Sequence, residues 1–419
     1  MDRLDMLIFG ASGFTGQYAV GEAARLCAKY NFTWGVAGRD PVKLRAALDK
    51  AAKDQDKDTS KIKIVTADVN DYASLVAMCG QAKVLVNCTG PYRLYGEPVV
   101  RACIEARTHH VDISGEPEFI ERMQLEYSAQ ARDAGVYIVS ACGFDSIPND
   151  LGVVFLEQQF EGTVNSVESY LSTHQPSPPR PFSSIIHSGT WDSMVHGISN
   201  WDQLKDLRNK LYPEPLPKLT PKLQPRSLVH SDNNKWCIPF PGADGSIVYR
   251  TQRYFYEQHQ KRPVQFKAYV KLGHILLVLG VMFLSTVVWL MSRWGPTRNL
   301  LLQYPEIFSL GLASRAGPSE ETMKSSKFRM TLRGVGWDRG QDEASTTPNK
   351  KITVTVSGVN PGYGATVTAL LLSAHTILTE SNNMPHNGGV LTTGAAFSKT
   401  TLIQKLNDNN IVFEVVSKE

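Results

Sequence analysis

The stretch that most constrains this chain is Leu4 to Gly16, Leu-Asp-Met-Leu-Ile-Phe-Gly-Ala-Ser-Gly-Phe-Thr-Gly. Met6 to Phe9 is a short apolar run of the kind that forms a fully buried strand, and it breaks at Gly10. From Gln17 onward, Tyr18, Ala19, Val20, Ala23, Ala24 and Leu26 recur with helical spacing. Glycines 10, 13 and 16 therefore fall on a turn between a strand and a helix, where a dinucleotide-binding unit places them. Gly10 permits the tight turn, and the bare Cα of Gly13 lets a pyrophosphate approach. Gly16 lets the helix lie close to the sheet, and the helix N-terminus offers N–H groups to the phosphates. The spacing is Gly-x-x-Gly-x-x-Gly, with Ser12 at the middle position. Three loop glycines alone mean only a turn; the flanking strand and helix are what point to a cofactor.

The continuation fits that beginning. Phe32 to Ala37 reads as a second strand ending at Gly38-Arg39. An acidic residue at this place holds the ribose hydroxyls of NAD, whereas an arginine accommodates the 2′-phosphate of NADP. Arg39 either grips that phosphate or simply opens the helix beginning at Pro41. The first reading predicts NADP(H) as cofactor. Ile62 to Ala67 is a third strand, followed by Asp68 where an adenine ring is bordered. Val84 to Asn87 is a fourth, followed by Thr89-Gly90-Pro91-Tyr92, and Gly90 lets backbone lie near the nicotinamide half. The cofactor-binding set expected from sequence is thus Gly10, Ser12, Gly13, Phe14, Thr15, Gly16, Arg39, Asp68 and Gly90. With Val111 to Ile113 and Val136 to Ala141 as further strands, alternation of strands and helices to about residue 145 implies a parallel sheet covered on both faces.

Beyond Gly143 the pattern changes. Gly143 to Gly152 reads as a loop entering a helix, with Asp145 or Ser146 as cap. Val164 to Thr173, Ser246 to Tyr256, Val264 to Val270, Phe328 to Leu332 and Ile352 to Val356 are strand candidates. The last three alternate apolar and polar residues, the mark of an antiparallel sheet with one wet face. Pro176 to Pro181 and Tyr212 to Pro225 read as extended surface loops. Helices are expected at about Gly364 to Glu380 and Phe397 to Asn407, before a closing alternation at Ile411, Phe413 and Val415. The fold class is α/β, an N-terminal Rossmann-type parallel sheet (1–145) with a second α+β unit (146–359), and residues 360–419 packing back on the first.

Leu272 to Met291 carries no formal charge and is apolar all round. Twenty residues of helix span about 30 Å, a bilayer core. Trp289 and Trp294 suit an interface. A buried core helix is the alternative. Because the strands on either side look like neighbours in one sheet, a simple crossing is disfavoured. A monotopic insert over 272–312, lying in a membrane leaflet or lipid-droplet monolayer, is expected instead.

Composition excludes other classes. A formal net charge of +4 over 419 residues, with no long basic run, argues against nucleic acid. Six cysteines without a Cys-x-x-Cys pair indicate neither zinc nor a disulfide framework, and fit reduced thiols facing the cytosol. No cleavable signal is expected ahead of the first strand. His109-His110 would point to opposite faces of a strand, so no metal site is expected. No Tyr-x-x-x-Lys dyad stands out in the first half. Tyr92, Cys142 and Asp145 lie near strand ends, but loop structure is the better reading of each, and the catalytic acid stays unassigned.

Several segments carry a resemblance: Leu-Ile-Phe-Gly-Ala-Ser-Gly-Phe-Thr-Gly, Trp-Gly-Val-Ala-Gly-Arg, Val-Asn-Cys-Thr-Gly-Pro-Tyr, Val-Asp-Ile-Ser-Gly-Glu and Cys-Gly-Phe-Asp-Ser-Ile-Pro-Asn-Asp-Leu-Gly. With Asn-Pro-Gly-Tyr-Gly-Ala-Thr and Gly-Gly-Val-Leu-Thr-Thr-Gly-Ala-Ala-Phe near the end, the chain resembles the saccharopine dehydrogenase-like oxidoreductases of animals along nearly its whole length. The resemblance implies a Rossmann domain and a saccharopine-reductase-type second domain. It also implies association with membranes and lipid droplets, a lipid-like small-molecule substrate and, from a bacterial branch of trans-acting enoyl reductases, a link to glycolipid synthesis. A nucleotide-binding droplet scaffold without turnover is the competing reading, saccharopine metabolism a weaker third, and a homo-oligomer is left open.

Overall fold

The computed structural model describes residues 2–144, 146–175, 184–343 and 345–419. Asp145 and the Pro176 to Pro181 loop lie outside the described residues. The chain begins with six parallel strands separated by helices: β1 (Leu4–Phe9), β2 (Trp34–Gly38), β3 (Lys63–Thr66), β4 (Ala82–Asn87), β5 (His109–Asp112) and β6 (Tyr137–Val139). Between them run α1 (Phe14–Tyr30), α2 (Pro41–Gln55), α3 (Tyr72–Cys79), α4 (Tyr92–Glu105) and α5 (Pro117–Ala134). Met6, Leu7, Ile8, Val84, Leu85 and Val86 are all fully buried, as both faces of a covered parallel sheet require.

The second half follows β6 through α6 (Ile147–Phe160) into a long strand, β7 (Gly162–His174). Then come β8 (Ile186–His187), α7 (Ser188–Ser199), α8 (Gln203–Leu211), β9 (His230–Asp232), β10 (Lys235–Pro239), α9 (Asp244–His259) and β11 (Gln265–Leu272). An excursion follows: α10 (Ile275–Ser292), α11 (Gly295–Gln303), α12 (Pro305–Phe308), β12 (Ala313–Ser314) and α13 (Glu320–Ser325). The chain returns through β13 (Lys327–Asp338) and β14 (Lys350–Val359), then α14 (Thr366–Glu380), β15 (Gly389–Leu391), α15 (Thr393–Phe397), α16 (Leu402–Asn407) and β16 (Val412–Lys418).

Two seven-stranded sheets result, in the orders β15-β6-β5-β4-β1-β2-β3 and β16-β14-β13-β7-β11-β10-β9. The first is parallel throughout; the second is antiparallel except where β11 runs parallel to β7. The tail therefore stitches the sheets together, giving β15 to the first and β16 to the second. Helix α14, buried from Thr366 to Ile377, packs on β4, β5 and α1.

Four local readings are corrected. Ser246 to Tyr256 is not a strand but part of α9: its tyrosines, Ile247 and Val248 favour strands, yet Ile247, Val248, Thr251 and Phe255 are buried at helical spacing, and packing decides. Val264 to Val270 does pair in the second sheet, but parallel to β7; its most buried residue is Tyr269, on the opposite face from the expected apolar row. The expected helix Phe397 to Asn407 is two short ones, α15 and α16, with Thr400 turning between them. The strands bounding the apolar segment are not direct neighbours either: β11 and β13 lie on either side of β7.

Candidate functional site

Strand order reverses at β1. The chain moves outward to β2 and β3 on one side, then crosses to β4 on the other. In open α/β sheets such a switch point leaves a crevice beyond the carboxyl ends of the strands, and ligands bind there. Here the crevice is bounded by the turn after β1 and the turn after β4, joined where Cys88 N donates to Phe9 O at 2.9 Å.

The first turn depends on its glycines. Gly10 takes φ +80°, and a Cβ there would lie 2.6 Å from Thr89 Oγ1. A Cβ at Gly16 would lie 2.1 Å from Gly10 O, so only glycine lets α1 approach so closely. Gly13 differs: a Cβ would meet only Gly10 O, at 3.2 Å, and its exposed Cα faces open space. Gly13 is also the N-cap of α1 and offers no side chain to the first-turn amides. Ser12 and Thr15 are partly exposed beside it, and the Ser12 carbonyl accepts from Gln17 Nε2 at 3.1 Å. The turn thus presents a bare, positively polarised helix end to the crevice, the form an anionic phosphate requires.

Phe14, expected as a cofactor contact, has a second role. Its ring stacks on the His187 imidazole at 4.5 Å and meets Tyr363 edge-on at 4.8 Å. Gly317 presses against it so closely that a Cβ would lie 2.4 Å from Phe14 Cζ. His187 N donates to Tyr363 Oη at 2.8 Å, closing the cluster. No spacing rule links these positions, which is why sequence reasoning missed His187, Gly317 and Tyr363.

Arg39 follows β2, exposed, with no carboxylate partner among the described residues. Its neighbour Asp40 is spent as the N-cap of α2, accepting from Val42 N at 3.0 Å and Lys43 N at 3.1 Å. The acidic residue adjacent to Arg39 therefore does not compete for a ribose. Asp68 closes β3 in a turn, its Oδ1 accepting from Asn70 N at 2.9 Å. Gly90 is exposed at the mouth, one residue from Thr89. Thr89 Oγ1 is buried without a hydrogen-bond partner beside Gly10. A hydroxyl left so at a switch point is costly unless a ligand completes it, and this fits a dinucleotide lying across the two turns.

The far side of the mouth is rigid. Glu116, buried, receives Tyr92 N and Arg93 N at 2.9 Å each and so caps α4, whose own N-cap is Pro91. Burial pushes the Glu116 carboxyl up, and the two amides oppose it. Asp112, fully buried, is pushed up to about 6 by burial against hydrogen bonds from Ser114 N, Ser140 Oγ and Ala141 N. Tyr92 donates to Asn87 O at 2.9 Å and burial raises its hydroxyl well above the usual range; burial does the same to the Cys142 thiol. Both are locked scaffold. His109 accepts from Tyr137 N at 3.0 Å while His110 is wholly buried, and among the described residues no group of metal-ligating side chains forms.

A parallel sheet with a glycine turn at its switch point, faced by a second mixed sheet, defines a dinucleotide-dependent α/β protein of two units. Residues 6–139 match the family model of the saccharopine dehydrogenase NADP binding domain. The chain is 43% identical to the human saccharopine dehydrogenase-like oxidoreductase, over 98% of this chain and 97% of that one. It is 38% identical to a Caenorhabditis elegans lipid droplet localized protein, over 100% and 99%. It is 35% identical to a probable mitochondrial saccharopine dehydrogenase-like oxidoreductase of Arabidopsis thaliana, over 99% and 96%. Among solved structures, apo saccharopine dehydrogenase (L-Glu forming) from Saccharomyces cerevisiae superposes with a TM-score of 0.55 at 14% identity, covering 99% of this chain and 100% of that one, a likeness of fold. The chain belongs to the saccharopine dehydrogenase-like oxidoreductase family, and it is an NADP(H)-binding oxidoreductase by that membership.

Proposed function

We propose that this protein is an NADP(H)-dependent oxidoreductase that works at a lipid surface on a lipid-like substrate. In this reading the Gly10–Gly16 turn with Ser12, Phe14 and Thr15 holds the pyrophosphate. Arg39 takes the 2′-phosphate, Asp68 borders the adenine, and Thr89 and Gly90 meet the nicotinamide half. The cofactor supplies or accepts the hydride. The chain's part is to orient the ring at the mouth of the crevice and to exclude water with α7 and the aromatic cluster around Phe14.

The observation that carries the lipid reading is α10. Only Val278, Val288 and Ser292 of its eighteen residues are buried, whereas Leu276, Phe283 and Leu290 are 68%, 72% and 57% exposed. No charge interrupts that face, and Thr286, exposed on it, donates its hydroxyl back to Met282 O at 2.8 Å within the helix; leaving so much apolar surface in water is strongly unfavourable. Its buried and half-buried residues run from Ile275 through Val278, Val281, Leu284 and Val288 to Met291, and the helix packs on α7, α11 and β10, so α10 lies against the body along its whole length. A crossing orientation would drag β10 and α7 into the bilayer. The chain also leaves the second sheet at Leu272 and rejoins it at Lys327, both beside β7. These features support a monotopic insert over 272–312 in one leaflet or a droplet monolayer, and the name of the nematode relative supports the droplet.

The test is NADPH consumption by the purified full chain given a droplet lipid extract. Lipid-dependent oxidation of NADPH is expected. NADPH binding with no turnover on any lipid fraction favours the scaffold reading, which the locked state of Tyr92 and Cys142 makes the natural second.

A further inference from the structure

We infer that the β9–β10 hairpin is a second lipid-contacting element, which seats Trp236 among the head groups of a phospholipid surface. The inference rests on the lipid reading of α10. It adds which other part of the chain meets the surface, and how α10 lies on it.

The hairpin is short and fixed. Asn233 and Asn234 take φ +47° and +60°, the left-handed pair that a two-residue turn requires and asparagine tolerates, between the register partners Asp232 and Lys235. Asp232 accepts from Arg333 Nη1 at 2.6 Å and Nη2 at 3.1 Å, and pairs with Lys271 Nζ at 2.5 Å. One face of the hairpin is sealed by these contacts: Cys237 is buried with Tyr170 and Tyr269, and the His230 ring meets Tyr269 edge-on at 4.7 Å. The other face is open. Trp236 pairs with Leu272 and Ile238 with Val270 in register, so the four side chains form one apolar block there. None of the four is fully buried, and Trp236 at the corner is 36% exposed.

This block adjoins the start of α10. Leu272 ends β11, only Gly273 and His274 separate it from Ile275, and α10 packs on both β10 and β11. At the far end of α10, about 27 Å away, Trp289 and Trp294 are 46% and 72% exposed. Both ends of the apolar helix thus carry exposed tryptophans, whose rings settle at the depth of lipid head groups. Because α10 lies on the body along its length, tryptophans at both ends set it parallel to the surface. The charges of the hairpin are placed to match. Asp232 and Lys235 both alternate onto the face opposite Trp236, which leaves the apolar block free of charge. Asp232 is the hairpin's one carboxylate and is neutralised by Arg333 and Lys271, whereas Lys235 is exposed with no acidic partner among the described residues. The uncompensated charge at the tip is therefore positive, the sign that head-group phosphates attract. Since the hairpin is already rigid, little ordering cost opposes its docking.

The experiment measures binding of the full chain to phosphatidylcholine vesicles, with NADPH binding as the check of folding. Trp236→Ala should weaken vesicle binding about five- to tenfold, the scale of one partly exposed apolar side chain leaving water, and leave NADPH binding unchanged. Val416→Ala, 58% exposed on β16 at the opposite edge of the same sheet, should bind vesicles as wild type does. Trp236→Phe keeps the apolar block filled. At saturating lipid it should lose part of the tryptophan quenching produced by phosphatidylcholine brominated high in its chains. The inference is refuted if Trp236→Ala binds vesicles as wild type does, or if Trp236→Phe is quenched as fully as wild type; either result leaves the lipid reading of α10 standing. Loss of self-association by Trp236→Ala with vesicle binding intact would make this face an interface between copies instead. Failure of wild type to bind the vesicles overturns the lipid reading itself, and this inference with it.

Discussion

The ring of Phe14 lies on the imidazole of His187 with centroids 4.5 Å apart and planes within 17°, so the first residue of the nucleotide-binding helix is held by the second half of the chain. His187 stands on β8, which pairs with β12 at Ala313 and Ser314, where the apolar excursion ends. The glycine turn, the second half of the chain and the apolar excursion thus meet around one contact. A double-mutant cycle on Phe14→Ala and His187→Ala should return a coupling of about 0.5–1.5 kcal/mol in unfolding free energy. Strictly additive losses would mean that the stacking contributes nothing.

In the proposed site Arg39 is the residue at the end of β2 that would separate NADP from NAD, since Asp40 is occupied at its helix cap. Arg39→Ala should weaken NADPH binding by about 1.5–3 kcal/mol, the worth of a hydrogen bond to a charged group, and leave NADH nearly unchanged. Titration of both cofactors into both proteins checks this, and equal losses would remove Arg39 from the site.

The three turn glycines should fail in different ways. Gly16→Ala forces a carbon to within 2.1 Å of a backbone oxygen and should leave little folded protein. Gly13→Ala meets only one oxygen at 3.2 Å in an extended backbone, so its thermal midpoint should hardly move. Its methyl group would nonetheless stand where the pyrophosphate approaches, and NADPH affinity should fall at least tenfold, about 1.4 kcal/mol. Thermal melts beside cofactor titrations separate the two effects.

How much of this was legible beforehand depends on distance along the chain. The strand–glycine–helix unit was, because its residues are contiguous and each glycine has a steric task within the turn. The two-sheet architecture was, because period-two alternation at β13 and β14 is local. Residues 246–256 misled, since Tyr249, Tyr254 and Val248 satisfy strand propensity while burial follows the helical period. The three-residue β15 is too short to show periodicity, and the parallel pairing of β11 is set by its partner. Around the crevice, Thr89 is orphaned by Gly10, almost eighty residues earlier, and Phe14 is clasped by residues from the second half. Those partnerships are made by topology alone.

Asp112 supplies a pH prediction. Its folded pKa, about 6, lies above the usual carboxylate value, so the folded state holds the proton more tightly than the unfolded one. Its contribution is therefore present at low pH and is lost as pH rises from about 4 through 6. Asp112→Asn keeps an acceptor for Ser114 N and Ala141 N. Relative to wild type, this variant should be more stable at pH 7.5 than at pH 4.5, by roughly 1–3 kcal/mol. A stability difference independent of pH would show that Asp112 titrates normally.

The central claim is that a nucleotide-binding oxidoreductase is held on lipid by α10, and flotation of the full chain with triacylglycerol droplets coated in phosphatidylcholine tests it most directly. Wild type should rise with the droplets. A variant carrying Leu276→Asp, Phe283→Asp and Leu290→Asp, all on the exposed face, should remain in the aqueous fraction while binding NADPH as wild type does. If the triple variant still floats, or if wild type stays in the aqueous fraction, α10 does not hold the protein on lipid and the account is wrong.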